Sequence, residues 1–129
     1  MGGVDLLDLA LLDGADLLAA SLTGTTLDGG AGADTILGSG GSDLILGGTG
    51  TDNDSLVGGA GNDTLDGGAG NDTLDGGIGS DSVKGGAGDD LILGSDDNDT
   101  LDGEPGRDTP AFLCFVPRVP DVCDFFVRH

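Results

Sequence analysis

The chain has 129 residues, among them 28 Gly and four Phe but no Trp or Tyr, and its 24 acidic against four basic residues leave a formal charge of −20. Nothing in such a chain can neutralise nucleic-acid phosphates, and an anionic membrane surface is excluded for the same reason. A chain this acidic either stays extended through self-repulsion or recruits cations, and the placement of its aspartates decides between the two.

The first 22 residues, MGGVDLLDLALLDGADLLAASL, have no basic region, and Asp5, Asp8, Asp13 and Asp16 interrupt their apolar run. They form neither a cleavable signal peptide nor a membrane span, so export would need another route. Two periods fit them. At helical spacing the four Asp share one arc, with Leu7, Leu11, Leu18 and Leu22 opposite, which predicts an amphipathic capping helix. Gly14 weakens that helix, and Leu9 and Leu12 fall on its polar side. At nine-residue spacing Leu9, Leu18 and Leu27 share the phase of Ile36, which predicts degenerate repeats instead. The cap, helical by preference and degenerate repeats as the rival, is assigned to residues 1–28.

From Gly29 the sequence reads GGAGADTIL, GSGGSDLIL, GGTGTDNDSLV, GGAGNDTLD, GGAGNDTLD, GGIGSDSVK, GGAGDDLIL and GSDDNDTLD. The period is nine, broken once by a two-residue insertion around Asp52–Asp54. Gly takes the first and usually the second and fourth positions, Asp the sixth, and an aliphatic residue the eighth. The glycines permit tight turns through positive φ. The three residues after each turn alternate out, in, out as a short strand. Two units make one coil, and stacked coils give parallel strands with two inner columns: Ile36, Leu56, Leu74 and Ile92 in one, Ile45, Leu65, Val83 and Leu101 in the other. The predicted fold is all-β, a right-handed parallel β-roll over residues 29–108.

One aliphatic per nine residues is a thin core for a Gly-rich chain that is costly to order. Stacking also brings aspartates of adjacent turns together. A cation between turns relieves that repulsion, held by carboxylates and turn carbonyls. Ca²⁺, which accepts about 6–8 oxygens in flexible geometry, fits better than Mg²⁺ with its strict octahedron.

GGAGNDTLD and its neighbours resemble the GGxGxDxUx nonapeptide of the RTX (repeats-in-toxin, haemolysin-type) family over about Gly29 to Asp102. The resemblance implies several bound Ca²⁺ ions between turns, so that Asp63 works with Asp81, and Asp72 with Asp54 or Asp90. Carried over by position, the implied carboxylate ligands are Asp34, Asp43, Asp54, Asp63, Asp72, Asp81, Asp90 and Asp99. At the insertion Asp52 competes with Asp54, which is preferred because it keeps its spacing to Leu56. The implied carbonyl ligands are those of Gly30, Gly32, Gly59, Gly61, Gly68, Gly70, Gly77, Gly79, Gly86 and Gly88. The resemblance also implies a secreted, extracellular bacterial protein, with type I secretion machinery as a partner.

Two departures from the pattern stand out. Asp97 replaces the fourth-position Gly, which Asp tolerates because it enters left-handed conformations more readily than most residues. Pro110 takes the aliphatic position, so the roll is expected to end near Asp108. The ninth-position acids Asp28, Asp66, Asp75 and Asp102 are read as outward residues serving solubility and edge protection.

After Asp108 the composition changes, and residues 109–129 carry all four Phe and both Cys. This segment is read first as a cap over the last coil, since solenoid ends need closing. The run Asp108-Thr109 to Phe112, followed by Asp121-Val122-Cys123-Asp124-Phe125, is similar to the segments that often come after RTX repeats. Asp124-Phe125-Phe126-Val127 also resembles a type I secretion ending, although Arg128 and His129 come after it; unrelated sequence is the third reading. Cys114 and Cys123 either bridge or remain free thiols.

His129 is the only histidine, and no catalytic triad, zinc motif, P-loop or EF-hand spacing is present. The Asn-x-Ser/Thr matches at Asn53, Asn62, Asn71 and Asn98 are by-products of the repeat. The expectation is a calcium-responsive folding module and not an enzyme. The alternatives are a structural or adhesive surface supported by calcium, or a fragment of a larger secreted protease, lipase or toxin. A flat ladder of outward threonines would favour adhesion, and Thr35, Thr64, Thr73 and Thr100 supply one only with gaps.

Overall fold

A computed structural model describes residues 8–10, 17–19, 24–94, 97–103, 109–112 and 126–128. The strands are β1 (Asp8–Ala10), β2 (Leu17–Ala19), β3 (Thr26–Asp28), β4 (Thr35–Leu37), β5 (Leu44–Leu46), β6 (Ser55–Ala60) and β7 (Thr64–Ala69). They continue as β8 (Thr73–Ile78), β9 (Ser82–Ala87), β10 (Leu91–Gly94), β11 (Thr100–Asp102), β12 (Thr109–Phe112) and β13 (Phe126–Arg128). Odd-numbered strands form a seven-stranded sheet and even-numbered ones a six-stranded sheet, with parallel pairing throughout. The chain therefore crosses from one sheet to the other at every turn. The result is an all-β parallel solenoid.

Burial follows the pleat. In β4 and β5 only the central residue is buried, because successive side chains of a strand point to opposite faces. Register stacks Ile36 on Leu56, Leu56 on Leu74 and Leu74 on Ile92 in the six-stranded sheet. In the seven-stranded sheet Leu27, Ile45, Leu65, Val83 and Leu101 stack in the same way. These nine aliphatic side chains are the core, each at most 3% exposed. In β6 to β9 pairing runs on into the turn, joining Gly59 to Gly77 and Gly68 to Gly86. That extension coincides with the consecutive GGxG units.

Two expectations change. No helix occurs among the described residues, and hence none long and apolar enough to cross a membrane. Where the capping helix was expected, β1 and β2 put Leu9 beside Leu27 and Leu18 beside Ile36. The backbone register here follows the nine-residue phase. Nor do the sheets stop at Asp108: β12 pairs with β10 and sets Pro110 against Ile92. Proline is tolerated there because β12 is the outermost strand of its sheet. β13 likewise closes the seven-stranded sheet against β11. Cys114 and Cys123, with the bridge reading placed on them, lie outside the described residues, as does the Asp121–Phe125 run, including Asp124 and Phe125 of the secretion ending, whose Phe126 and Val127 belong to β13.

Candidate metal centre

The residue before each of β4 to β11 is the sixth-position Asp. Asp34, Asp43, Asp54, Asp63, Asp72, Asp81, Asp90 and Asp99 are all buried. They line the two edges of the core as ladders, one through Asp34, Asp54, Asp72 and Asp90, the other through Thr25, Asp43, Asp63, Asp81 and Asp99. Each rung is a backbone N–H donating to the carboxylate of the next coil. Asp54 N–H reaches Asp72 Oδ1 at 2.8 Å, Asp63 N–H reaches Asp81 Oδ1 at 2.8 Å, and Asp72 N–H reaches Asp90 Oδ1 at 2.9 Å. The sequence separation is 18 residues in these rungs. It rises to 20 for Asp34 to Asp54 and Asp43 to Asp63, where the insertion is absorbed. The structure thus brings together the pairs expected to cooperate. It sets Asp54 into the ladder and leaves Asp52 exposed outside it.

One oxygen of each ladder carboxylate from Asp43 to Asp99 is therefore spent on the backbone. The other is not: Oδ2 of Asp63, Asp72 and Asp81 is buried and accepts no hydrogen bond. A buried polar atom without a partner is costly, and such an atom calls for an explanation. It lies against the first-position Gly of its own repeat. A Cβ on Gly67 would sit 2.5 Å from Asp72 Oδ2 and 2.7 Å from the Gly85 carbonyl oxygen of the next coil. Glycine is required here for space, because its φ is not positive. At the second and fourth positions the requirement is conformational as well, as at Gly61 with φ 123°. Asp97, the one non-Gly residue with positive φ among those described, has φ 87° at a fourth position.

Electrostatics matches the geometry. Burial first, and then the Asp72, Asp34 and Asp52 charges, push Asp54 up from the ordinary 3.8 to about 6, against the lowering effect of its backbone hydrogen bond. Burial likewise lifts Asp81 to about 6, with Asp99, Asp63 and Asp75 adding repulsion. Asp63 and Asp72 are raised by burial as well. Among the described residues no three carboxylates converge on one point. A cation here would draw most of its oxygens from the main chain. The turn carbonyls are stacked for that: Gly59 O faces Gly77, Gly61 O faces Gly79, Gly68 O faces Gly86 and Gly70 O faces Gly88. Gly30 O accepts Thr49 N–H.

Three contributions were missed in the sequence. The first-position carbonyls of Gly76 and Gly85 also lie at the carboxylates. The ninth-position acids are half-buried, and Asp66 and Asp75 raise Asp72 and Asp81 by charge. The fifth-position Asn residues form an outer ladder: Asn71 N–H donates to Asn53 Oδ1 and Asp89 N–H to Asn71 Oδ1. Its signal was Asn recurring just before the Asp, at Asn53, Asn62 and Asn71.

The chain matches the RTX calcium-binding nonapeptide repeat (4 copies) over residues 23–53, 49–83 and 75–110. No curated protein and no solved structure matches it.

Proposed function

The chain belongs to the RTX calcium-binding nonapeptide repeat family, whose repeats imply calcium binding, and we propose that here the metal is a condition of folding. The observation that carries this reading is the set of buried Oδ2 atoms of Asp63, Asp72 and Asp81 that accept no hydrogen bond. Several Ca²⁺ ions would be held by Asp34, Asp54, Asp63, Asp72, Asp81, Asp90 and Asp99 with turn carbonyls of Gly. Bound calcium supplies positive charge inside the turn stack and takes about 6–8 hard oxygens. The chain's own part is to hold each carboxylate in register through Oδ1 and to keep bulk water from Oδ2. Without the ion, the ladders repel and the thin core does not hold them together.

On this reading the protein is a calcium-responsive module and not an enzyme. Proteins of this repeat family are typically secreted, which supports an extracellular setting and export through type I machinery. The chain would stay extended in low-calcium cytosol and fold outside, with affinities in the weak extracellular range of about 10⁻⁴–10⁻³ M. A right-handed winding, the usual hand of parallel crossovers, belongs to the same reading. Far-ultraviolet circular dichroism during calcium titration tests it. A cooperative gain of β signal is expected, reversed by chelator and not reproduced by magnesium. Asp63→Ala and Asp72→Ala should each raise the midpoint several-fold. An unchanged disordered spectrum at several millimolar calcium would sink the proposal.

A further inference from the structure

The two ladders are not uniform. At the start of one, Thr25 stands where every other described repeat has Asp. Its N–H donates to Asp43 Oδ1 at 2.7 Å, and its hydroxyl donates to the same oxygen at 3.1 Å. The other oxygen is also taken. Ser39 N–H donates to Asp43 Oδ2 at 2.9 Å, the atom that accepts nothing in Asp63, Asp72 and Asp81.

Ser39 can do this because it replaces a second-position Gly. At Gly30, Gly48, Gly59, Gly68, Gly77 and Gly86 that position has positive φ, whereas Ser39 does not. Its amide is thereby turned toward the carboxylate. A Cβ on Gly38 would lie 3.0 Å from Asp43 Oδ2, close to the 2.9 Å for Gly94 to Asp99 and longer than the 2.4–2.6 Å at Gly29, Gly47, Gly58, Gly67, Gly76 and Gly85. Three protein donors thus surround one carboxylate, and its neighbour in the preceding coil carries a hydroxyl in place of a second charge. Both conditions that call for a cation elsewhere, the orphaned oxygen and the like-charge stack, are missing at this step.

We propose that the Thr25–Asp43 step is a metal-independent lock, closed by Thr25 and Ser39 in place of Ca²⁺, so that Asp43 is a structural acceptor and not a calcium ligand. The proposal rests on the calcium reading of the remaining ladder. It removes Asp43 from the ligand set that the repeat pattern alone would assign. Closure of this step, the first described rung of its ladder, then does not wait for calcium.

The test counts calcium bound at saturation by the full chain, using equilibrium dialysis and atomic emission, with circular dichroism confirming that each variant is folded. Asp43→Asn should bind as many ions as the parent, while Asp72→Asn binds fewer. The double variant Thr25→Asp/Ser39→Gly, which restores the ordinary repeat at both positions, should bind one ion more than the parent. A lower count for Asp43→Asn, or no gain in the double variant, would overturn the lock. A parent chain that binds no calcium, or an Asp72→Asn chain that binds as much as the parent, would instead overturn the ligand assignment beneath it.

Discussion

A sixth-position carboxylate has two oxygens with different tasks. Oδ1 is an acceptor for the backbone, fixing one coil on the next, and Oδ2 remains buried beside the turn. This division explains why Asp is needed where Asn would serve a purely structural ladder, as Asn does at the exposed fifth position. It also sets the pH behaviour. The folded, metal-free values of Asp54 and Asp81, about 6, lie above the ordinary 3.8, so the folded form holds more protons between those limits. Stability from these groups is fully present below about 3.8 and is lost as pH rises through about 6. Protons should therefore stand in partly for calcium. In chelator, β signal should grow as pH falls from about 7 to about 4, with light scattering excluding aggregation near the isoelectric point. Calcium midpoints should rise over the same range as protons compete. A metal-free spectrum that stays disordered throughout would show that the charge on these buried carboxylates is not what opens the roll.

In β3 to β11 the first three residues of the strand put one side chain into the core and two toward the surface, so neighbouring residues should differ sharply in importance. Leu74 is fully buried between Leu56 and Ile92, while Leu91, on an adjacent strand, is 37% exposed. Leu74→Ala should cost about 2–5 kcal/mol in urea unfolding at saturating calcium, and Leu91→Ala about 0.5 kcal/mol or less. Equal losses would contradict the inside–outside assignment. Most of this was legible from nine-residue spacing, which placed both core columns, chose Asp54 over Asp52 by its distance to Leu56, and allowed Asp97 its left-handed turn. The Leu-rich start was not, because its residues satisfy helical and nonapeptide periods together and only the neighbouring strands decide. Pro110 misled for a different reason: a missing N–H ends a central strand but not an outermost one. The satisfaction of Asp43 depends on the φ of Ser39, which spacing does not reveal.

In the whole molecule the outer faces differ. Ninth positions of the seven-stranded sheet run Asp28, Leu46, Asp66, Lys84 and Asp102, whereas those of the six-stranded sheet run Leu37, Val57, Asp75 and Leu93. The outward hydroxyls run Thr64–Ser82–Thr100 on one face and Thr35–Ser55–Thr73 on the other, with Leu44 and Leu91 interrupting them. That interruption leaves calcium as the better-supported purpose of the array. On the proposed reading, a formal charge of −20 over so slight a core makes the solenoid dependent on its counter-ions. The most direct measurement is amide hydrogen exchange at Asp54, Asp63 and Asp72, whose N–H groups form the ladder rungs, with calcium and then with chelator. Strong protection with calcium and exchange at unstructured rates without it is the predicted result; equal protection in both would contradict the claim that the metal is a condition of the fold.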